Sequence, residues 1–203
     1  MASRDDQMRD FLFRAGVEPR AVDSALDIDA VMQQWRRRWH KRELGASALR
    51  HLQLADRLDL AQLDVLMAIW APSREFRCKE GQETMVSTVA ERLGIDPSRA
   101  SRLVSDLIAK GLARRAVSQQ DARRTIVELT EDGKMIVRAV RRYKFLLMGD
   151  FLSGWSQEER DTFLPLLDRF SKWTEEAPGM GSEHFAEEIA ALVASLPSAT
   201  DKG

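Results

Sequence analysis

Ser98, Arg99, Ser101, Arg102 and Ser105 crowd into the first turns of a stretch that opens at Asp96-Pro97. On a helix they take the face opposite Ala100, Leu103, Val104 and Leu107, which fall at i, i+3, i+4 and i+7 and form an apolar stripe. A guanidinium can bond guanine O6 and N7 together, and a short hydroxyl can meet a base or a phosphate without holding the helix away. A second group, Arg115, Asp121, Arg123 and Arg124, follows within 20 residues of Ser105. Between Pro97 and Arg124, seven basic residues face only Asp106 and Asp121, a surplus of five in a chain of formal net charge −1. A cationic patch on a near-neutral chain is the footprint expected of phosphate binding. For any single arginine an ordinary solvated face is the alternative.

Positioning these groups takes four elements. Asp96 accepts from early helical amides and Pro97 lacks the N–H that would be orphaned there, so a helix starts here and runs to Lys110. Gly111 supplies the left-handed residue that commonly follows a helix end. A shorter helix, Val86–Leu93, precedes it and closes at Gly94. Two strand-like runs, 112–117 and 125–129, flank the polar segment Ser118-Gln-Gln-Asp-Ala-Arg-Arg124. Two helices and a basic hairpin in this order predict a winged helix-turn-helix, in which the start of the second helix reaches base edges in the major groove.

The ordered set of motifs resembles the MarR family of winged helix-turn-helix transcriptional regulators. Asp121-Ala-Arg123 followed by Leu129-Thr-Glu-Asp-Gly133 is similar to that family's wing signature. Val89-Ala-Glu-Arg-Leu-Gly-Ile95, Ser101-Arg-Leu-Val104 and Lys110-Gly-Leu112 sit where the family places its turn, recognition helix and helix end. The resemblance covers roughly residues 58 to 133 and, more loosely, the flanking helices. It implies a homodimeric regulator, usually a repressor, often released from DNA by a small ligand or by oxidation, with the wing lying along the minor groove.

Outside the motif the chain reads as mainly α, a winged helix-turn-helix with a small β-hairpin wing, flanked by N- and C-terminal dimerisation helices. Residues 1–27 form an N-terminal extension, either a short helix and turn or a disordered arm. Residues 28–59 and 134–203 form the helical dimerisation region, and residues 60–133 the DNA-binding domain. Ile28, Val31, Met32, Trp35 and Trp39 stripe one helix, whose last turns carry Arg36, Arg37, Arg38, Lys41 and Arg42, cations suited to a helix C-terminus. Asp59 and Gln62 form a capping box for a helix over 60–70 that Pro72 ends. Residues 73–83 read as a charged loop containing Cys78. Thr130 caps a long helix, and Ser156 and Glu159 box the start of another, which Pro165 should kink. Residues 178–181 read as a linker before a last helix over 183–196. The terminal stripes are broad enough to need covering, and a two-fold assembly of them would suit a palindromic operator.

An enzyme is not expected, since the chain has no Gly-rich phosphate loop, metal-ligand spacing or nucleophile–base pair. No metal or cofactor is expected either. Partners are double-stranded DNA, a second copy of the chain and a small-molecule effector, with no membrane. The rival reading is a winged-helix protein–protein module whose arginines meet an acidic partner. Trp35, Trp39, Trp70, Phe145 and Met148 are the candidates for lining an effector pocket, with plain core as the alternative. The single cysteine, Cys78, fits a reducing cytoplasm, and its neighbours Arg77 and Lys79 would favour a redox-active thiolate. Redox-sensing members of the resembled family usually place that cysteine near the N-terminal helix, which Cys78 does not match.

Overall fold

The computed structural model describes residues 3–70, 83–180 and 184–197 and, within them, no side chain at 39–41 or 178–180. The predicted end of a helix at Pro72, the charged loop over 73–82 and Cys78 therefore lie outside the described residues. So does the side chain of Trp39. Among the described residues the order is α1 (Arg4–Arg14), α2 (Pro19–Lys41), α3 (Glu43–His51), α4 (Leu60–Trp70), α5 (Val86–Leu93), α6 (Pro97–Ala109), β1 (Ala113–Val117), β2 (Thr125–Leu129), α7 (Glu131–Ser153), α8 (Gln157–Met180) and α9 (Ala186–Ser195). The chain divides into two compact units, one from Arg38–Phe151 and one from Met1–Arg37 with Leu152–Gly203. Among the described residues, no helix is long and apolar enough to cross a membrane.

The first unit is built around α4. Its start is tied by the predicted box, with the Gln62 amide donating to Asp59 Oδ1 at 2.7 Å and the Asp59 amide to Gln62 Oε1 at 3.3 Å. Beyond this cap nearly every side chain of the helix turns inward, including Leu63, Val65, Leu66, Ala68 and Ile69. Val89 and Ala90 of α5 and Ala100, Val104 and Leu107 of α6 bury their stripes in the same cluster, which Leu112, Val127, Leu129, Ile136 and Val137 complete. Each buried aliphatic side chain contributes about 1.5–3 kcal/mol relative to exposure, so this core fixes the mutual angle of the two short helices.

The antiparallel hairpin pairs Ala113 with Leu129, Arg115 with Val127 and Val117 with Thr125. A two-stranded hairpin is marginal alone. Here the Val127 amide also donates to the Thr84 carbonyl at 2.7 Å, so the backbone just before α5 runs beside β2 as a third rung. Thr130 then turns the chain into α7. Its Oγ1 donates to the Gly111 carbonyl at 2.8 Å and accepts the Gly133 amide at 3.2 Å, and its own amide donates to the Leu112 carbonyl at 3.1 Å. Gly133 packs so closely here that a Cβ would stand 2.1 Å from the Leu112 carbonyl oxygen. That close approach is the physical content of the Leu-Thr-x-x-Gly spacing.

In the second unit, α1 carries a capping box of Ser3 and Asp6 and is joined to α2 by Arg9 Nε and Asp23 Oδ1, 2.9 Å apart. Residues 1–27, left open between helix and disorder by the sequence, thus become α1, a turn through Gly16 at φ +79°, and the first part of α2. The Ser156–Glu159 box starts α8 as expected, with the Glu159 amide donating to Ser156 Oγ at 3.1 Å and the Ser156 amide to Glu159 Oε2 at 2.7 Å.

Two expectations from proline need correction. Helix α8 continues past Pro165, and it also runs through Pro178 and Gly179 to Met180, where a linker was expected. Each proline removes one helical amide, but the box at the start and the stripe of Phe163, Leu167, Phe170 and Trp173 hold the rest of the helix. That stripe and Ile28, Met32 and Trp35 of α2 line an apolar groove of about 780 Å³.

Candidate nucleic-acid interface

The start of α6 is built first by Asp96. Its Oδ1 accepts the amides of Ser98 at 2.8 Å and Arg99 at 3.2 Å, and it also accepts the Ser98 hydroxyl. The Ser98 hydroxyl, followed by these amides, holds the Asp96 carboxyl below the usual carboxylate range. Asp96 is therefore charged at neutral pH and partly neutralises the positive end of the helix. The proton of Ser98 is committed to this cap, so Ser98 presents lone pairs rather than a donor. Arg99, Arg102 and Ser105 are exposed on the outer face and Ser101 is half-buried beside them. Arg99 and Arg102 stand three residues apart, neighbours on the helix surface.

The hairpin supplies the second half. Arg115 is exposed, while Arg114 on the opposite face is held by Glu128 across the strands, Nη2 to Oε2 at 2.8 Å. The loop from Ser118 to Arg124 closes on itself. The Ser118 amide donates to the Arg124 carbonyl at 3.0 Å and the Arg124 amide to the Asp121 carbonyl at 2.9 Å. Ser118 Oγ accepts the amides of Gln120 at 3.1 Å and Asp121 at 3.0 Å. Asp121 Oδ1 accepts the Arg123 amide at 3.0 Å, and Oδ2 lies 3.3 Å from Nε of Arg124. The sequence pairs Asp121 with the Arg123 guanidinium; the structure gives it Arg124 instead, because the tight turn brings Arg124 back over the carboxylate while Arg123 leaves it.

These pairings redistribute the cationic surplus. Lys110 donates to the Arg57 carbonyl and to Gln62 Oε1, both at 2.7 Å, and thereby ties the end of α6 to α4. Arg114 and Arg124 have acidic partners. Among the described residues Arg99, Arg102, Arg115 and Arg123 have none. The free positive charge therefore sits at the start of α6 and on the wing.

Several supporting residues carry no local sequence pattern. Glu83 accepts the Ser118 hydroxyl and the Gln119 amide, the latter at 2.6 Å. The Ser118 hydroxyl is the main reason the Glu83 carboxyl lies below the usual range, with the Gln119 and Gln120 amides and the Arg124 charge adding to it. Arg92 Nη1 donates to the Ala68 carbonyl at 2.7 Å and to Thr84 Oγ1 at 2.9 Å, joining α5, α4 and the third rung. Partners 24 and 35 residues apart leave no periodic signature; only a serine followed by a turn hints at the Ser118 hub.

The effector-pocket candidates are dispersed among different surroundings. Trp35 stands on the wall of the apolar groove of the second unit. Trp70, in the first unit, lies under the Arg138 guanidinium at 5.8 Å. Phe145 meets Arg141 at 5.5 Å and Lys144 at 5.9 Å, and both Phe145 and Met148 are exposed.

Residues 80–124, which include α5, α6 and the wing loop, match the MarR family. YfiV of Bacillus subtilis, described as an uncharacterized HTH-type transcriptional regulator, is 32% identical over 92 residues, which take in 45% of this chain and 58% of that protein. The chain spans less than two thirds of the curated relatives it matches, between 53% and 61% of their lengths. A MarR family protein from Bacillus stearothermophilus superposes with a TM-score of 0.60 at 16% identity, over 75% of this chain and 96% of that one. FabT of Streptococcus pneumoniae, solved in complex with DNA, gives 0.56 at 18% identity, over 73% and 98%. At such identities the likeness to the solved proteins is one of fold. Sequence match, motif order and fold agree, and by its winged helix-turn-helix segment this chain belongs to the MarR family.

Proposed function

We propose that the protein is a sequence-specific double-stranded DNA-binding transcriptional regulator, a repressor that binds a palindromic operator as a homodimer and is released by a small ligand. The observation that carries the reading is the free charge at the start of α6: Arg99 and Arg102 are exposed on a helix whose first turn is fixed by Asp96, and neither has an acidic partner among the described residues. Arg115 and Arg123 extend that charge onto the wing. In helix-turn-helix docking the first turns of the second helix meet base edges, and arginines beside them meet phosphates. The FabT complex supports the same use of this fold.

Dimerisation draws support from the apolar surface on the terminal helices. Leu146 is 72% exposed, Phe151 63% and Leu164 68%, with Trp173 and Val193 also open. Apolar surface on this scale seeks a partner. Release by a ligand draws support from the groove where Trp35 stands, apolar and of ligand size. A nuclease footprint of the purified protein on its own upstream DNA tests the proposal. Protection of two inverted half-sites, with centres about 10 bp or a multiple of that apart, is expected. Uniform protection, or none at concentrations that saturate a folded protein, contradicts it.

A further inference from the structure

We infer that Glu83 is a positioning residue for the wing, holding the loop Ser118–Arg124 in the form that leaves Arg123 free to meet DNA. The inference rests on the DNA-binding reading and adds a residue that lies outside both contacting elements. Glu83 precedes α5 in sequence, yet its two carboxylate oxygens take the Ser118 hydroxyl and the Gln119 amide. With its proton given to Glu83, Ser118 Oγ turns its lone pairs to the amides of Gln120 and Asp121. Those bonds bring Asp121 round so that it accepts the Arg123 amide and pairs with the Arg124 guanidinium. The relay ends with one arginine held and the next one released. A seven-residue loop without such an anchor would lose more freedom on docking.

Charge and position make opposite forecasts for this residue, and that makes the inference testable. Glu83 is an anion beside a surface meant for phosphate, so if it acted only through its charge, removing it would tighten DNA binding. If it acts by positioning, removing it weakens binding although the protein becomes more positive. The experiment compares the full chain with Glu83→Gln, Glu83→Ala and Ser118→Ala, reading duplex affinity against salt together with amide hydrogen exchange.

Glu83→Ala is expected to lose about tenfold in affinity, the worth of one charge-assisted contact. Its salt slope should become shallower by roughly one unit, as for a lost phosphate contact. Exchange at the Gln119–Arg124 amides should quicken about tenfold, reporting local opening, while α5 and α6 keep their protection. Adding Arg123→Ala to Glu83→Ala should cost less than the two single losses combined. Ser118→Ala should reproduce the exchange pattern, and Glu83→Gln, which keeps an acceptor and the side-chain length, should recover part of it. Tighter binding by Glu83→Ala, or unchanged exchange in the loop of both alanine variants, overturns the inference. So does strict additivity with Arg123→Ala. A parent that binds no duplex at low salt overturns the DNA-binding reading itself, and the exchange measurement then decides alone whether Glu83 orders the loop.

Discussion

Arg102 and Arg123 are both exposed and unpaired, but they sit on different kinds of support. Arg102 is fixed to a helix whose stripe is buried, so its guanidinium can be aimed at one base pair. Arg102→Ala should cost about 1–3 kcal/mol on the operator and relax preference at a single position. Arg123 stands on a loop, and Arg123→Ala should weaken many sequences alike, most of all those with A·T-rich flanks, whose narrow minor groove attracts arginine. Competition titrations with operator, random and A·T-rich duplexes separate the two. Equal binding by both variants and the parent would remove these arginines from the interface. The Asp121–Arg124 pair is largely exposed and contributes about 0–1 kcal/mol to folding, so Asp121→Ala should act through the turn and resemble a milder Arg123→Ala. Gly133 belongs to the same scale for a different reason. A methyl group there meets the Leu112 carbonyl oxygen at 2.1 Å, and that oxygen is fixed by the Thr130 amide. Gly133→Ala should therefore cost about 3 kcal/mol, the upper end of ordinary overpacking, seen as a lower urea midpoint. An unchanged midpoint would show that the junction yields freely.

At the scale of elements, the cap of α6 gives a pH dependence with a definite sign. Asp96 is held below its ordinary range by the Ser98 hydroxyl and the two amides, so its folded value lies under its unfolded value of about 4. Its contribution to stability is then fully present above that unfolded value and is lost as pH falls through the folded one. Asn is as good an N-cap and does not titrate. Asp96→Asn should leave the melting temperature near neutral pH almost unchanged and flatten its fall in acid; an unaltered acid profile would contradict the role of this carboxylate. The cap was legible in the sequence because Asp96-Pro97 is a local signal. So were the limits of α5 and α6, set by Gly94 and Gly111, which take φ +59° and +71°. The clamp of Glu83 on Ser118 was not legible, because its two halves meet only after α5, α6 and β1 have folded between them. Pro165 and Pro178 misled for the converse reason: a local rule against proline yields when a capped helix packs one face along its length.

Across the whole molecule, the question is what covers the terminal helices. Sedimentation equilibrium at micromolar concentration should show a homodimer, and removal of residues 181–203 should weaken it or lower solubility. A stable, folded monomer throughout that range would contradict the assembly, and unchanged mass and melting after truncation would make the last helix peripheral. The composition of the chain did not announce a DNA-binding protein, since the net charge is −1. The function became legible only when the charge was resolved along the chain and then by pairing, which removes Lys110, Arg114 and Arg124 from the free surplus and leaves four arginines on two adjacent elements. That arrangement is the central claim, and salt tests it most directly. Binding of the purified protein to duplex DNA should weaken steeply as salt rises, with log K falling against log salt by about 0.9 for each phosphate neutralised, so that a dimer using two or more arginines per subunit gives a slope of roughly −4 or steeper. A slope near zero, or no binding to duplex at low salt by a folded protein, would contradict the account.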